Sequence, residues 1–236
     1  MRIAAMQCPD LSDDAAGITD RIAGQLDWAD ARSIDLVLFP EAVLLGHSYD
    51  AATIASRARR SAAMLDRLCL RIARYRATAI VGAFEQIGDR IVNSAIVVEA
   101  GQVVGRYAKA HPNEPGVSAG HACPTFVRSG VRYGLNICND ANYPEAAGRI
   151  ADQGARLILY PLNNMLPPAT AERWRDRSIA NLIARARQTR CWVAASDVTG
   201  AVGDRISYGC TAIISPQGEV VARVPELEAG AVVHDV

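Results

Sequence analysis

The chain repeats itself. Leu36-Val-Leu-Phe-Pro40 is echoed by Leu157-Ile-Leu-Tyr-Pro161, and Arg2…Cys8 by Arg132…Cys138. Ser94-Ala-Ile-Val-Val98 with Gly101-Gln-Val-Val104 is echoed by Thr211-Ala-Ile-Ile-Ser215 with Gly218-Glu-Val-Val221. An internal repeat constrains a fold more than any local propensity, because both copies must bury the same faces. Each copy reads in the order β-α-β-α-β-β. Helical periods run over 15–31, 52–75, 144–153 and 171–189, and short apolar runs lie at 36–39, 79–84, 157–160 and 191–196. Hairpins follow at 94–107 and 211–224, and a last strand at 231–235. Two such units predict an α/β fold: a four-layer α-β-β-α sandwich, its sheets face to face and its helices outside, in one domain over 1–236.

Composition bounds the partners. Lys+Arg and Asp+Glu are equal at 25 each, so the basic excess of a nucleic-acid binder is missing. No apolar run approaches the length of a membrane span. The N-terminus enters a strand pattern at once, too briefly for a secretory segment. Six cysteines, at 8, 69, 123, 138, 191 and 210, show no CxxC pair and no metal-ligand spacing. The expectation is a cytoplasmic protein with free thiols, without metal or organic cofactor, acting on a small molecule.

The candidate chemistry centres on Val131-Arg-Tyr-Gly-Leu-Asn-Ile-Cys138-Asn-Asp-Ala-Asn-Tyr-Pro-Glu145. A strand pattern ends in a thiol just before a helix, and ligands collect at strand carboxyl ends in α/β sheets. Cys8 ends its strand in the same way, so packing alone also accounts for such a cysteine. Partners decide. Glu41 stands just past Leu36–Pro40, where partial burial suits a general base. Lys109 is the only lysine of a chain that otherwise uses arginine, and an ammonium there can stabilise a thiolate or an oxyanion. Glu114 follows in the loop and can orient Lys109, touch a substrate amide or be solvated. His47, His111 and His121 are the imidazoles available to a Cys/His hydrolase. The Asn139 N–H is a natural oxyanion donor, and Asp140 and Asn142 can bond the turn itself.

These stretches resemble the nitrilase superfamily of carbon–nitrogen hydrolases over nearly the whole chain. The glutamate motif resembles Leu36–Glu41 followed by Gly46, the lysine motif Tyr107-Ala-Lys109-Ala-His111, and the cysteine motif Gly134–Glu145, which is most similar to that of aliphatic amidases. A further Arg-Ala-x-Glu-Asn motif is weakened here to Arg185-Ala-Arg-Gln-Thr189. The resemblance implies the α-β-β-α sandwich, a Glu41-Lys109-Cys138 triad with Glu114 as a second glutamate, and amide hydrolysis through a thioester. Acyl transfer to an amine, nitrile hydrolysis and ligand binding without turnover are the alternatives. It also implies a homodimer or larger homo-oligomer built on the helices over 144–153 and 171–189. Tyr49 and Asn163 are expected on the pocket wall. Asp140, Ala141 and Asn142 stand where relatives acting on carboxylated substrates often carry arginine. A small neutral amide is therefore expected, with Arg173, Arg175 or Arg177 as the other sources of charge.

Overall fold

In the computed structural model, residues 1–10 and 17–236 are described. The first half comprises β1 (Arg2–Pro9), α1 (Ile18–Asp30), β2 (Leu36–Leu38), α2 (Ala51–Ile72), β3 (Thr78–Ile87), β4 (Arg90–Glu99) and β5 (Gln102–Ala108). The second comprises β6 (Thr125–Arg128), β7 (Val131–Leu135), α3 (Pro144–Ala151), β8 (Leu157–Pro161), α4 (Pro168–Thr189), β9 (Trp192–Ser196), β10 (Val198–Val202), β11 (Arg205–Ser207), β12 (Ala212–Ile214), β13 (Val220–Arg223) and β14 (Gly230–Asp235). The helix expected over 15–31 is α1, and its first two positions, Ala15 and Ala16, lie outside the described residues.

The repeat is a repeat of topology. One sheet runs β14-β1-β2-β3-β4-β5 and the other β6-β7-β8-β9-β12-β13. β14 pairs antiparallel with β1 as β6 does with β7, so the last strand of the chain completes the first sheet. Each half has three consecutive strands that pair in parallel through α-helical crossovers, β1-β2-β3 in the first and β7-β8-β9 in the second. Strands of this kind are buried on both faces. Leu36 and Leu38 of β2 accordingly face Tyr133, Leu135 and Leu159 across the sandwich, while Val37 turns outward to Leu26, Leu65 and Leu68 under α1 and α2. Ile158 of β8 turns outward to Ile150 and Leu182 under α3 and α4. Full burial of one such side chain contributes about 1.5–3 kcal/mol.

One element breaks the repeat. After β9 the chain leaves the second sheet and pairs β10 with the end of β1, at Cys8–Val198 and Pro9–Thr199. It then returns as β11. Nothing in the apolar periodicity of 197–210 indicated this hairpin. It is anchored to the loop after β8 by two backbone bonds, Leu166 N–H to Ile206 O (3.1 Å) and Ile206 N–H to Leu166 O (2.9 Å).

Gly82 of β3 carries the turn that follows β2. A Cβ at position 82 would stand 2.3 Å from the Ala42 nitrogen and 3.1 Å from the Glu41 carbonyl carbon. The turn is tied to the strand by Leu44 N–H to Gly82 O (3.1 Å). Gly82→Ala is expected to lower stability by about 1–3 kcal/mol, the usual cost of overpacking, as read from denaturant midpoints. An unchanged midpoint would show that the turn gives way without cost.

Candidate active site

The carboxyl ends of strands from both sheets meet at one place. β7 ends at Leu135, and two residues later the chain enters a 3₁₀ turn, Cys138–Asn142. Cys138 itself has φ +41°, in the left-handed region, which costs an L-residue about 1–2 kcal/mol. Asp140 holds this turn. Its Oδ2 accepts from Ile137 N–H (2.9 Å) and Tyr107 Oη–H (2.8 Å), and its Oδ1 accepts from His111 N–H (2.9 Å). The role expected of Asp140, bonding the turn, is what the geometry shows.

Glu41 follows β2 and is 1% exposed; Lys109 follows β5 and is also 1% exposed. Lys109 Nζ lies 2.8 Å from Glu41 Oε1 and 2.8 Å from Glu114 Oε1. Asn93 of β4 donates Nδ2–H to the same two oxygens, at 2.7 and 2.8 Å. The Asn113 N–H donates to Glu114 Oε2 (2.9 Å). Glu41 Oε2, by contrast, is buried with no hydrogen-bond partner. Such an atom is costly unless something binds or protonates it. Burial works against the charge on Lys109, but Glu41, Cys138 and Glu114 outweigh it and hold the amine well above its usual range. Burial likewise opposes ionisation of Glu114, yet hydrogen bonds from His47 and Lys109 bring its carboxyl far below the usual range.

Cys138 lies within the electrostatic reach of this cluster. Burial pushes its thiol well above the ordinary 9.0, and the Glu41 charge pushes it the same way. Lys109 and a hydrogen bond from the Asn163 backbone N–H work against them. The thiol is therefore protonated at neutral pH. Its homologue by repeat, Cys8, packs instead into the outer core layer and accepts a hydrogen bond from Gln25 Nε2–H at 3.2 Å.

None of the three histidines serves the thiol. His47 Nε2 lies 3.0 Å from Glu114 Oε1, and the ring nitrogen donates, because an ionised carboxylate only accepts. His111 bonds Asp140 and stacks on Tyr143 at 3.7 Å between ring centroids. His121 is exposed and its carbonyl accepts from Arg149. Glu41, His47 and Glu114 could ring a metal ion by distance alone, their ligand atoms lying within 4.8 Å of one another. The Lys109 ammonium already occupies the cation's place between the two carboxylates.

Cys138 opens on a cleft of about 350 Å³. Asn139, Tyr49 and Asn163 line it, as expected. The Asn139 side chain is spent on the His111 carbonyl (2.8 Å) and on Asn142 (2.8 Å), which stiffens the turn. Trp174, Leu162 and Leu182 form apolar wall. Arg173, Arg175 and Arg177 stand on the exposed side of α4, where Arg173 bonds Thr170, Arg175 pairs with Glu226 and Arg177 covers the Trp174 ring. Gln188, which departs from the glutamate of the resembling motif, still joins the helices by donating to the Pro144 carbonyl (2.9 Å). The sequence reading missed Asn93, and also Arg205, which lines the cleft. Asn93 could have been suspected as an amide embedded in the apolar run of β4.

Replacing Glu114 by glutamine keeps its shape and removes one of the two charges on Lys109. E114Q is expected to lose about 1.5–3 kcal/mol of stability at pH 7, the scale of a charge-assisted hydrogen bond. The Glu114 carboxyl is depressed on folding, so its contribution is complete above the ordinary 4.5 and is lost as pH falls toward the folded value. The gap between wild type and E114Q should therefore narrow below pH 4.5 in thermal melts across pH. A gap that stays constant into acid would contradict the charged cluster.

The chain is similar to known proteins over most of its length. A deaminated glutathione amidase from Escherichia coli O157:H7 is 29% identical over 217 residues, covering 88% of this chain and 80% of its own. The "hydrolase in pqqF 5'region" of Pseudomonas protegens is 29% identical over 231 residues, covering 94% and 78%. The solved amidase of Nesterenkonia sp. superposes with a TM-score of 0.87 at 22% identity, over 100% of this chain and 90% of its own, a likeness of fold. The carbon–nitrogen hydrolase family model matches residues 2–236, and with the α-β-β-α sandwich in place the chain belongs to that family, within the nitrilase superfamily.

Proposed function

We propose that the protein is a cysteine-dependent amidase that converts a small amide into a carboxylic acid and ammonia. The observation that carries this reading is the unpartnered, buried Oε2 of Glu41 beside a thiol that burial keeps protonated. A neutral thiol is a poor nucleophile, so a base must take its proton as it attacks. Glu41 is the carboxylate with an oxygen to spare.

The steps follow from proton balance. Glu41 Oε2 takes the Sγ proton of Cys138, and sulfur attacks the amide carbonyl. The developing oxyanion is stabilised by the Lys109 ammonium and the Asn139 N–H. Collapse expels ammonia, which leaves with the proton from Glu41, and a thioester remains. Glu41 then takes a proton from water, hydroxide adds to the thioester, and the acid departs as Cys138 recovers its proton. Glu114 binds and orients Lys109, so the ammonium stays charged through the cycle. Membership of a family whose amidase relatives cover most of this chain supports the reading. Localisation in the cytoplasm and assembly through α3 and α4 belong to the same proposal. Among the described residues no helix is long and apolar enough to cross a membrane.

Two outcomes test the mechanism. Cys138→Ala should abolish ammonia release from every amide the wild type accepts, and Glu41→Gln should lower kcat by about 10²–10⁴-fold; intact turnover in C138A would sink the reading. The pH profile provides the second. Loss of the thiol proton removes what Glu41 must pass on, and that loss is displaced upward from 9.0. Wild-type kcat/KM should hold level from neutrality through pH 9, and a falling limb centred below pH 9 would contradict the assigned proton inventory.

A further inference from the structure

The peptide between Leu162 and Asn163, in the loop after β8, touches both reacting residues. Its carbonyl accepts from the Glu41 backbone N–H (3.0 Å), and its N–H donates to the Cys138 sulfur. A trans peptide is planar and stiff, with its oxygen and its N–H pointing opposite ways. The Glu41 backbone and the Cys138 sulfur are thus joined through one rigid unit.

That unit is held from behind. On one side Leu162 N–H donates to the Ser196 carbonyl (2.8 Å). On the other, Asp197 grips Asn164: the Asn164 N–H donates to Oδ1 at 3.0 Å and its Nδ2–H to Oδ2 at 2.7 Å. Asp197 is fully buried between β9 and β10, where the chain crosses from one sheet to the other. The Val198 N–H (2.9 Å) and the Cys210 N–H also donate to its carboxylate. These four donors are neutral. A carboxylate can accept from all of them, whereas an asparagine would turn its own NH2 toward one. Burial outweighs the four bonds and pushes the carboxyl up to about 6. The charge is costly in such a place, and what it grips is the loop that touches nucleophile and base.

We propose that Asp197 is a positioning residue: by fixing Asn164 it holds the Leu162–Asn163 peptide between Glu41 and Cys138, and with it the aim of the sulfur. This rests on the amidase reading, in which those two residues exchange a proton. It does not require Asp197 to touch substrate.

Two opposed effects make the test sharp. The Asp197 charge raises the Cys138 thiol, and the Asn163 N–H lowers it more strongly. Asp197→Asn removes the charge. If the carboxylate supplied charge alone, the thiol of D197N would ionise more readily and react faster; if it holds the peptide, the N–H is lost and the reaction slows. Labelling of Cys138 by iodoacetamide at pH 8, read by mass spectrometry of its peptide, should be about 2- to 10-fold slower in D197N, the scale of one hydrogen bond. Asn164→Ala, which leaves the carboxylate charged, should also slow it, and it decides alone if D197N does not fold. An unchanged or faster rate would overturn the bracket. With propionamide and butyramide as probes, D197N should lower kcat by about 10- to 100-fold, the cost of a misplaced reacting group, with KM little changed. A loss carried by KM alone overturns it.

The ratio of wild-type to D197N kcat/KM should be full above pH 7 and fall toward one as pH drops through 6, because protonated Asp197 loses the same grip. Around Asp197, the thiols of Cys8, Cys138 and Cys210 and the Tyr208 phenol are all raised and stay neutral over this range, and Arg175 stays charged. A ratio that is flat from pH 5 to 8 would count against the proposal. If neither amide is hydrolysed, it is the amidase reading that fails, and the labelling rates alone judge the bracket.

Discussion

The site depends on one buried ammonium. Lys109 is almost wholly removed from water, and an isolated cation there would cost several kcal/mol. Two carboxylates at 2.8 Å make the position tenable. They bring an excess of negative charge, which Asn93, the Asn113 N–H and His47 spread over hydrogen bonds. These groups come from four segments: the stretch between β2 and α2, the strand β4, the end of β5 and the loop beyond it. The cluster therefore exists only when the order β2-β3-β4-β5 is correctly made. Burial, and after it the Glu41 charge, raise the Cys138 thiol, while the Lys109 ammonium opposes them.

The duplication explains why the same architecture yields one centre rather than two. Cys8 and Cys138 occupy equivalent ends of β1 and β7. After β7 the chain turns sharply into the 3₁₀ segment, with Cys138 at positive φ and Asp140 bracing it. After Cys8 the strand continues by one residue because β10 pairs with it. The thiol of Cys8 then points outward under α1, where it meets Gln25 rather than an ammonium. A cysteine's position in a strand is thus a weak sign of chemistry, and the turn that follows it is a strong one.

Much of this was legible in the residues. Buried parallel strands announce themselves as apolar runs, so β2, β3, β8 and β9 and the helices between them were readable to within a few positions, as was the pairing of the two halves. Glu41 and Lys109 stood out because one caps such a run and the other is a lone lysine among arginines. Glu114 was a single carboxylate in a loop, and only the closure of that loop over β4 brings it to Lys109. His47 had the chemistry of a thiol's partner, but a third carboxylate-side position claimed it. Asn93 was hidden because an amide inside an apolar strand has no periodic signature; its value comes from two acids that lie 52 and 21 residues away.

Arg205 was hidden for a different reason. Two strands of five and three residues, joined by Gly203-Asp204, carry too little alternation to be read as a hairpin. Their stability is borrowed: β10 rests on the end of β1, and β11 on Leu166. The duplicated frame positions Cys138, Glu41 and Lys109 at the ends of its buried strands. The hairpin sits on that frame through edge hydrogen bonds, so its side chains can change without repacking either core layer. The buried cluster around Lys109 thus belongs to the frame, and Arg205 on the cleft wall to the one element that the repeat does not contain.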